Sequence, residues 1–373
     1  METCEVLIVG GGPAGSCCAG RLRQAGIEVL LLDKQTFPRQ KPCAGWITPA
    51  VLTALAVDAG EYRRNRILED INSFRTGLVG GKAVTTSYDK TVSYGIRRSE
   101  FDHYLLERSG VHSLMGEAVA HLEHTHDGWL VNGQIKTRLL VGAGGHFCPV
   151  ARRLGASLGQ EDVVVAQMAE FPITPDEERH GGIAAETPAL FFCRDMKGYG
   201  WLLRKGSYLN LGLGRMDAHN LARHSGEFCT FLRRSGYLTA DATGRFQGHA
   251  YRVFQRRNRR RCVADGALLI GDAAGIAQPF SGEGILPAIE SAIIAADTII
   301  AANGNYRREK LAAYAARLDD HYGGGSVDVA TLPVSSTVMR FLGARLLSSS
   351  FFTRHVLLNQ WFLHKNQKAF SSV

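Results

Sequence analysis

Residues 4–15, CEVLIVGGGPAG, decide the fold of this chain. The first six form a short apolar run that is typical of a fully buried strand, and the glycines that follow match the pattern G-x-G-x-x-G. Residues 16–25 are typical of a helix, residues 28–32 of a second strand, and Asp33 ends that strand. This order of strand, glycine turn, helix and strand predicts a parallel α/β unit of the Rossmann type.

The spacing of the glycines indicates a dinucleotide site. Gly10 allows a tight turn, Gly12 lets a pyrophosphate approach the backbone, and Gly15 lets the helix pack against the strand. The helix begins beside this turn, so its free N–H groups and positive partial charge face the phosphates. Asp33 is placed to bind a ribose hydroxyl. An ordinary glycine turn is the alternative, but the strand, the helix and the acid together favour dinucleotide binding.

A second glycine-rich stretch near the other end of the chain has a similar organisation. Residues 267–270 predict a buried strand, residues 271–275 (GDAAG) a turn, and residues 285–302 a long apolar helix that follows GEG at 282–284. This stretch resembles the second flavin-binding motif of the flavoprotein monooxygenase and geranylgeranyl reductase superfamily. The resemblance implies that Asp272 binds the ribityl chain of FAD and that the helix N-terminus stabilises reduced flavin. FAD is therefore the expected cofactor.

Three further stretches carry the same resemblance. Residues 38–45 (PRQKPCAG) are similar to the Pro-Arg-x-Lys-x-Cys-Gly-Gly stretch that lies along the flavin in geranylgeranyl reductases, with Ala44 in place of the first glycine. Residues 98–102 (RSEFD) match the superfamily's Arg-x-x-Phe-Asp pattern, whose arginine contacts FAD. Residues 116–119 (GEAV) stand where the superfamily usually places backbone against adenine.

The motifs and the resemblance together give one predicted set of FAD-binding residues. The set is Gly10, Gly12, Pro13, Ala14, Gly15, Asp33, Lys34, Arg39, Ala44, Gly45, Arg98, Ala118, Gly271, Asp272, Pro279, Gly282, Gly284 and Ile285.

One stretch departs from the superfamily. Residues 139–145 (LLVGAGG) align with its G-A-D-G motif, but Gly144 stands where an aspartate is usual. That aspartate is associated with both FAD and NAD(P)H binding, and no second G-x-G-x-x-G followed by an acid is visible. NADPH or another reductant is therefore expected to reach the flavin transiently. His146, which follows, is either catalytic or a loop histidine with a structural hydrogen bond.

The candidate catalytic residues are Cys43, Tyr199 and Trp201. Residues 163–214 alternate and turn as antiparallel strands do. Within them, residues 198–206 (GYGWLLRKG) resemble the Tyr-x-Trp-x-Phe-Pro region that lines the substrate cavity of geranylgeranyl reductases. An aromatic hairpin packed into the core is the alternative. Cys43 is the candidate proton donor or substrate contact, because positive charge on the nearby Lys41 favours a thiolate.

Composition limits the other function classes. The chain has 373 residues, 45% of them hydrophobic, and a net charge of +8. The basic residues at 256–261 and in the C-terminal tail predict either a solvated face or a site for an anionic substrate, a diphosphate, NADPH or an anionic membrane surface. Nucleic acid is not expected, because no nucleic-acid fold accompanies the charge. The eight cysteines contain no C-x-x-C, so neither a metal site nor a disulfide framework is predicted.

The apolar segments predict a protein of the cytoplasm that is at most peripheral to a membrane. Residues 285–302 are interrupted by Glu290 and Asp297, so they are not expected to span a bilayer. The start of the chain shows no basic region followed by an apolar stretch, and no secretory signal is expected. The tail at 351–365 is both apolar and basic, which predicts either a packed helix or contact with a membrane surface.

The predicted architecture is α/β. A discontinuous Rossmann-type FAD-binding domain is expected from residues 1–70, 97–160 and 255–322, with an inserted antiparallel β-sheet substrate domain from residues 71–96 and 161–254. C-terminal helices are expected over residues 323–373. The resemblance implies an enzyme, an FAD-dependent oxidoreductase that reduces a carbon–carbon double bond of a prenyl or other apolar substrate through reduced flavin. The alternatives are an FAD-dependent monooxygenase (hydroxylase) and a flavin-binding electron-transfer protein.

Overall fold

A computed structural model describes residues 1–156, 161, 163–176, 182–217, 219–239, 244–255, 259–323 and 336–365. The basic residues at 256, 257 and 368 and the glycines at 324 and 325 lie outside the described residues. Within them, the strands form three sheets.

The first sheet contains the predicted Rossmann unit. Strand β1 (Glu2–Val9) lies at its centre, parallel to β2 (Val29–Asp33) on one side and to β11 (Ile135–Gly142) on the other. Helix α1 (Pro13–Gln24) connects β1 to β2. This helix begins three residues earlier than predicted, because Pro13 occupies the first turn, where a backbone N–H is not needed.

Segments from distant parts of the chain complete this sheet. Its order is β17-β18-β11-β1-β2-β8, and the hairpin of β9 and β10 is added to β11. All five residues of β2 are buried, as expected for an apolar strand covered on both faces. The added strands are β8 (His112–Met115), β9 (Leu122–Thr125), β10 (Gly128–Val131), β17 (Val263–Ala264) and β18 (Ala267–Leu269).

The second sheet is the predicted inserted sheet, in the order β16-β12-β15-β14-β13-β5-β6. Its pairs are antiparallel except for β13 with β5, which come from distant segments rather than from a hairpin. Helix α6 (Leu221–Arg234) covers one face and buries Phe228 and Leu232. The strands are β5 (Ser73–Leu78), β6 (Ala83–Ser87), β12 (Val164–Pro172), β13 (Ala189–Phe192), β14 (Gly198–Lys205), β15 (Tyr208–Arg215) and β16 (Gln247–Tyr251).

A small third sheet lies between the other two. Strand β7 (Ser93–Ile96), which the sequence places in the inserted sheet, pairs instead with β3 (Trp46–Ile47) and β4 (Leu68–Ile71). The buried side chains of this third sheet pack with Ile285 and Ile289, which belong to the helix that follows the second glycine motif. This sheet therefore joins the two larger ones.

Helix α7 (Ile285–Ala302) has the predicted bounds and packs against α1. It is long and apolar enough to cross a membrane, but 78% of it is buried inside the protein. The burial is that of a core helix. The other helices that lie outside the inserted sheet and the C-terminal segment are α2 (Pro49–Ala54), α3 (Ala59–Arg63), α4 (Arg98–Ser109), α5 (Pro149–Arg153) and α8 (Arg308–Gly323).

The C-terminal segment packs against the inserted sheet. It consists of α9 (Ser336–Leu347), the single turn α10 (Ser350–Phe352) and a π-helix (Thr353–Phe362) where an α-helix was predicted. Leu357, Leu358 and Phe362 are buried in one cluster with side chains of β12 and β14. The segment is therefore packed, although Leu342, Leu346 and Phe351 on its outer side remain exposed.

Candidate functional site

A cavity of about 520 Å³ lies between the first and second sheets. It opens at the carboxyl ends of β1, β2, β11 and β18, the edge where ligands bind in parallel α/β sheets. We call the side built from the glycine turns and the loop at 33–48 the motif wall. We call the side built from β12, β13, β14 and Phe362 the sheet wall.

The three motif glycines have different local roles. A Cβ on Gly10 would lie 2.4 Å from the Ala143 carbonyl oxygen, and one on Gly15 would lie 1.8 Å from the Gly10 carbonyl oxygen. These two positions allow helix and strands to pack closely. A Cβ on Gly12 would meet only Arg39 Nη2, at 3.5 Å. Gly12 therefore faces the cavity, where its lack of a side chain leaves room for a ligand.

Asp33 stabilises the glycine turn from the end of β2. Its carboxylate accepts hydrogen bonds from the backbone N–H of Gly11 at 2.7 Å and of Gln35 at 2.9 Å. The side chain also lines the cavity. Two carboxylate oxygens offer about four acceptor sites, so these bonds leave capacity for a ribose hydroxyl.

Two arginines share one buried carboxylate on the motif wall. Arg98 donates two hydrogen bonds to Asp102, at 2.7 and 2.8 Å, and Arg39 Nη1 lies 3.2 Å from the same carboxylate. Asp102 is fully buried, so it fixes both guanidinium groups at the cavity. Two cations against one acid leave a net positive charge there.

A second polar chain runs from Lys41 to Asp272. Lys41 Nζ lies 3.2 Å from His249 Nδ1, and His249 Nε2 lies 3.6 Å from Asp272 Oδ2. Burial lowers the pKa of Lys41 to about 8, partly opposed by the negative charge of Asp272. Burial acts to raise the pKa of Asp272, but the hydrogen bond from His249 and the charges of Lys41 and Arg98 outweigh it, so the pKa falls. Asp272 is thus ionised at neutral pH.

The second glycine motif presents a helix end to the cavity. Asp272 lies in a single 3-10 turn (Gly271–Ala273), and α7 begins directly after Gly284. Gly282, Gly284 and Ile285 all line the cavity. A Cβ on Gly271 would lie 3.1 Å from the Cβ of Ala14, so the N-terminal end of α7 supplies positive partial charge on the same wall as the first motif.

His146 has the structural contacts expected of a loop histidine. It is 3% exposed, and its Nδ1 lies 3.1 Å from Arg260 Nη2, which is itself paired with Glu161. Burial, and then the charge of Arg260, lower the pKa of His146, so the ring is neutral at pH 7. The arrangement agrees with the structural alternative for this residue.

The sheet wall is aromatic. Tyr199 and Trp201 are two residues apart on β14, so both side chains face the cavity, with ring centroids 6.2 Å apart. The Tyr199 hydroxyl donates a hydrogen bond to the Ser281 carbonyl, and burial raises its pKa, so it stays protonated. Phe362 of the C-terminal segment packs 5.4 Å from the Tyr199 ring. This wall suits an apolar ligand.

Cys43 lies where the two walls meet. Its Sγ accepts a hydrogen bond from the backbone N–H of Gly45 at 3.3 Å, and the residue lines the cavity. Lys41 is directed to His249 rather than to the thiol, and the charges of Arg98 and Lys205 interact with Cys43. The positive charge expected beside this cysteine thus comes from residues other than Lys41.

Four of the predicted FAD-binding residues do not line the cavity in the described part of the chain. Gly15 and Gly45 lie behind the wall and allow close packing. Ala118 is exposed, and its carbonyl accepts a hydrogen bond from Asn132, although the adjacent Glu117 N–H bonds to the Asp33 carbonyl. The fourth is Pro279, in the loop before α7. The other predicted FAD-binding residues all line the cavity.

Three site residues were missed by the sequence reasoning. Glu283 lines the cavity with a carboxylate that is 10% exposed, and His364 Nε2 lies 3.1 Å from it. Glu283 stands inside the second motif, so its position was readable, whereas His364 arrives only through the packing of the C-terminal segment. Lys205 is fully buried at the end of β14. Trp201, Leu203 and Lys205 follow one another at intervals of two residues, so the alternation of the strand already placed Lys205 on the same face as Trp201.

Comparison with known proteins agrees with this geometry. The chain is 27% identical over 366 residues to menaquinone reductase of Mycobacterium tuberculosis, covering 91% of this chain and 86% of that protein. It is 27% identical over 342 residues to digeranylgeranylglycerophospholipid reductase of Methanococcus vannielii, covering 86% and 84%. The crystal structure of a geranylgeranyl bacteriochlorophyll reductase-like protein from Thermoplasma acidophilum shares the fold, with a TM-score of 0.75, 19% identity and coverage of 93% and 88%.

A family described as FAD binding domain matches residues 3–321. The match contains both glycine motifs, the loop with Cys43 and the inserted sheet. Since it spans most of the chain, the protein belongs to the FAD binding domain family.

Proposed function

We propose that this protein is an FAD-dependent oxidoreductase that reduces a carbon–carbon double bond of a prenyl or similarly apolar substrate. One observation carries the proposal. A single cavity has the two glycine motifs on one wall and Tyr199, Trp201 and Phe362 on the other. An apolar chain on the sheet wall would therefore lie beside a flavin on the motif wall. Relatives named as reductases of geranylgeranyl lipids and of menaquinone support the same chemistry.

The motif wall fits FAD. Gly12 leaves room at the start of α1, and Arg39, Lys41 and Arg98 supply positive charge that suits a diphosphate. The predicted FAD-binding set is proposed as a whole, with Asp33 at the ribose. For Gly15, Gly45, Ala118 and Pro279, which lie outside the cavity lining, the proposed role is to shape the wall.

The sheet wall positions the substrate and excludes water. The motif wall would hold FAD, which when reduced would supply a hydride to one carbon of the double bond, and the other carbon would need a proton. The Cys43 thiol is the proposed proton donor, because Cys43 lies where the two walls meet and so borders both proposed binding surfaces. Tyr199, held by its bond to the Ser281 carbonyl, and Trp201 form the apolar surface beside it.

The sheets suggest how the chain is divided into an FAD-binding part and a substrate part. We propose that residues 1–70, 97–160 and 255–322 form the FAD-binding part and that residues 71–96 and 161–254 form the substrate part, followed by a C-terminal segment at 323–373. In this division, β7 joins the two parts, because it pairs with strands of the FAD-binding part.

The electron donor and the location are also proposed. Without the usual aspartate at Gly144, NADPH or another reductant is expected to reach the flavin transiently. A cytoplasmic location at a membrane surface would give access to a lipid substrate. The exposed Leu342, Leu346 and Phe351, together with the exposed Arg345, support such a contact.

The test is the reoxidation of reduced protein in the absence of oxygen. A geranylgeranyl-type alkene should reoxidise the flavin rapidly and yield a product with two additional hydrogen atoms at one double bond. Menaquinone is the second substrate to be compared, because one relative is named menaquinone reductase. Reoxidation only by oxygen, with a hydroxylated product, would establish the monooxygenase alternative. Reoxidation by a protein acceptor without a substrate would establish the electron-transfer alternative.

A further inference from the structure

The face of the inserted sheet that forms the sheet wall ends in a buried ionic cluster. Tyr199, Trp201, Leu203 and Lys205 alternate along β14, so they share that face. On the adjacent strands, Asn210 pairs with Leu203 and Glu170 pairs with Asn210. We call Lys205, Glu170 and Asn210 the sheet clamp.

The clamp is linked by short contacts. Lys205 Nζ lies 2.5 Å from Glu170 Oε2, and Asn210 Nδ2 donates to the same oxygen at 3.0 Å. Arg97 Nε donates to the other carboxylate oxygen at 3.1 Å. Lys205 and Asn210 are completely buried, and the Glu170 side chain is 9% exposed. The charges are thus paired and hydrogen-bonded out of water.

The clamp also holds the loop that carries Cys43. Lys205 Nζ donates to the carbonyl oxygens of Ala44 at 3.0 Å and Ile96 at 2.9 Å, and Asn210 Nδ2 donates to the Cys43 carbonyl at 3.0 Å. Gly45 adopts a φ of +67°, and a Cβ there would lie 2.6 Å from the Lys205 ammonium. The loop therefore packs directly on the clamp.

The same group fixes the aromatic part of the sheet wall. Asn210 Oδ1 accepts a hydrogen bond from Trp201 Nε1 at 2.8 Å. One amide thus binds the Cys43 carbonyl on one side and the Trp201 indole on the other. The position of the proposed proton donor and the position of the apolar wall are set by one residue.

Stability alone does not account for the clamp. Taking a lysine and a glutamate out of water costs so much that well-packed apolar residues at such sites are often as stable or more stable. The ammonium and amide here direct three of their hydrogen bonds to the carbonyls at 43, 44 and 96. Apolar residues could fill the space, but they could not bind those carbonyls.

We propose that Lys205, Glu170 and Asn210 are positioning residues that hold the Cys43 loop and Trp201 in register at the cavity. The inference rests on the proposed function in one respect, namely that substrate and flavin meet in this cavity. The hydrogen-bond geometry of the loop is independent of that function. The experiment below therefore includes a measurement that does not depend on alkene reduction.

The variants are Lys205→Met, Glu170→Gln and the double variant, with Lys197→Met as the control. Lys197 lies just before β14, and its side chain is 60% exposed. Glu170→Gln leaves the buried Lys205 ammonium without its carboxylate, and Lys205→Met leaves Glu170 with Arg97 as its remaining cation, so both variants are expected to lower the melting temperature. The double variant removes both charges, so its melting temperature should recover toward that of the wild type.

Two readouts are measured on FAD-loaded protein. The first is the rate at which iodoacetamide alkylates Cys43, followed by mass spectrometry of its peptide. The second is the single-turnover rate of flavin reoxidation by substrate under anaerobic conditions. In the double variant we expect the alkylation rate to change about fivefold or more and the reoxidation rate to fall about tenfold to a hundredfold, since small misplacements have effects of that size. Lys197→Met should leave both rates unchanged.

The outcomes separate a positioning role from a structural one. If the double variant is folded and retains FAD, and both rates stay within about twofold of the wild type, the proposal is overturned. A misplaced Cys43 loop should change the rates by more than that. A changed alkylation rate in a protein that reduces no alkene would uphold the clamp and refute the proposed function instead. Should the charge variants not fold, Asn210→Leu removes the bonds to the Cys43 carbonyl and Trp201 without stranding a charge, and the same two rates decide.

Discussion

The two walls of the cavity are built in different ways. The motif wall comes from short stretches in which each functional residue is set by its immediate neighbours, as Gly10, Gly12 and Gly15 are set by the turn between β1 and α1. The sheet wall is assembled from distant segments. Trp201 comes from β14, and Phe362 comes from the C-terminal segment 161 residues later.

This difference indicates which property of the protein each wall controls. The glycine turns and cations of the motif wall suit a dinucleotide, so we expect this wall to control FAD binding. The aromatic side chains of the sheet wall suit an apolar ligand, so we expect this wall to control how the substrate is held. If this division is correct, changes in the motif wall should alter FAD binding, and changes in the sheet wall should alter turnover with FAD still bound.

The largest effect is expected for Gly12→Val. A valine there fills the space beside the first turn of α1, and only Arg39 lies near its Cβ. The protein should fold, but FAD binding should be lost, because the side chain occupies the position of the pyrophosphate. The measurements are flavin absorbance after purification and the far-UV circular dichroism spectrum.

Gly15→Val is the matched comparison. Its Cβ would lie 1.8 Å from a backbone oxygen, so this variant should lose the fold together with FAD. A Gly12→Val protein that retains stoichiometric FAD would show that the motif wall does not bind the diphosphate.

The next effect is expected where the two walls meet, for Cys43→Ala. The variant should retain FAD and accept electrons normally, but reduce the alkene about a hundredfold more slowly, since a positioned proton donor typically contributes about 10²–10⁴. Cys43→Ser keeps an acceptor for the Gly45 N–H and should also be slow, because a hydroxyl is a weaker acid than a thiol. The measurement is the anaerobic single-turnover rate of flavin reoxidation by substrate.

An unchanged rate in Cys43→Ala would move the proton source elsewhere. Water is one alternative. Glu283 is the next side chain to be tested, because it lines the cavity and is paired with His364 at 3.1 Å. In that case Glu283→Gln, rather than Cys43→Ala, should slow the reaction.

The contrast between the walls also explains what the sequence could and could not reveal. Gly12 and Asp33 were predicted from residues a few positions away along the chain. Asp272, Tyr199 and Trp201 were predicted through a resemblance. Lys205 has the same alternation along β14, but a lysine at the end of a strand is usually exposed, and the packing of the Cys43 loop and of β7 buries it.

The C-terminal segment shows the limit of such reasoning. Its helical pattern predicted Ser336–Leu347 with the bounds that the structure has. No pattern within the chain indicated that Phe362 would enter the cavity or that Thr353–Phe362 would form a π-helix. Docking depends on complementary surfaces, and these exist only once the inserted sheet has folded.

A smaller effect on the motif wall is expected for Asp33→Ala. The variant loses acceptors for the N–H groups of Gly11 and Gln35 as well as the proposed bond to the ribose. We expect the Kd for FAD to rise about tenfold, which corresponds to the loss of one or two hydrogen bonds, with the fold retained. Fluorescence titration of the FAD-free protein measures it. Asp33→Asn, which keeps one acceptor, should show a smaller rise, and an unaltered Kd in both variants would limit Asp33 to the end of β2.

The smallest effect concerns the pH dependence of FAD binding through Lys41, whose pKa burial lowers to about 8. A bound diphosphate favours the ammonium, so FAD affinity should be nearly constant below about pH 7 and should weaken about threefold between pH 7.5 and 8.5 as the free protein loses this proton. The stability of the FAD-free protein should change in the opposite direction and rise between pH 8 and 10, because the folded state then binds fewer protons than the unfolded one. Lys41→Met should abolish both trends, whereas the exposed Lys82→Met should keep them. If the affinity of the wild type stays constant to pH 9, Lys41 does not contact the phosphates, and the positive charge of the motif wall rests on Arg39 and Arg98 alone.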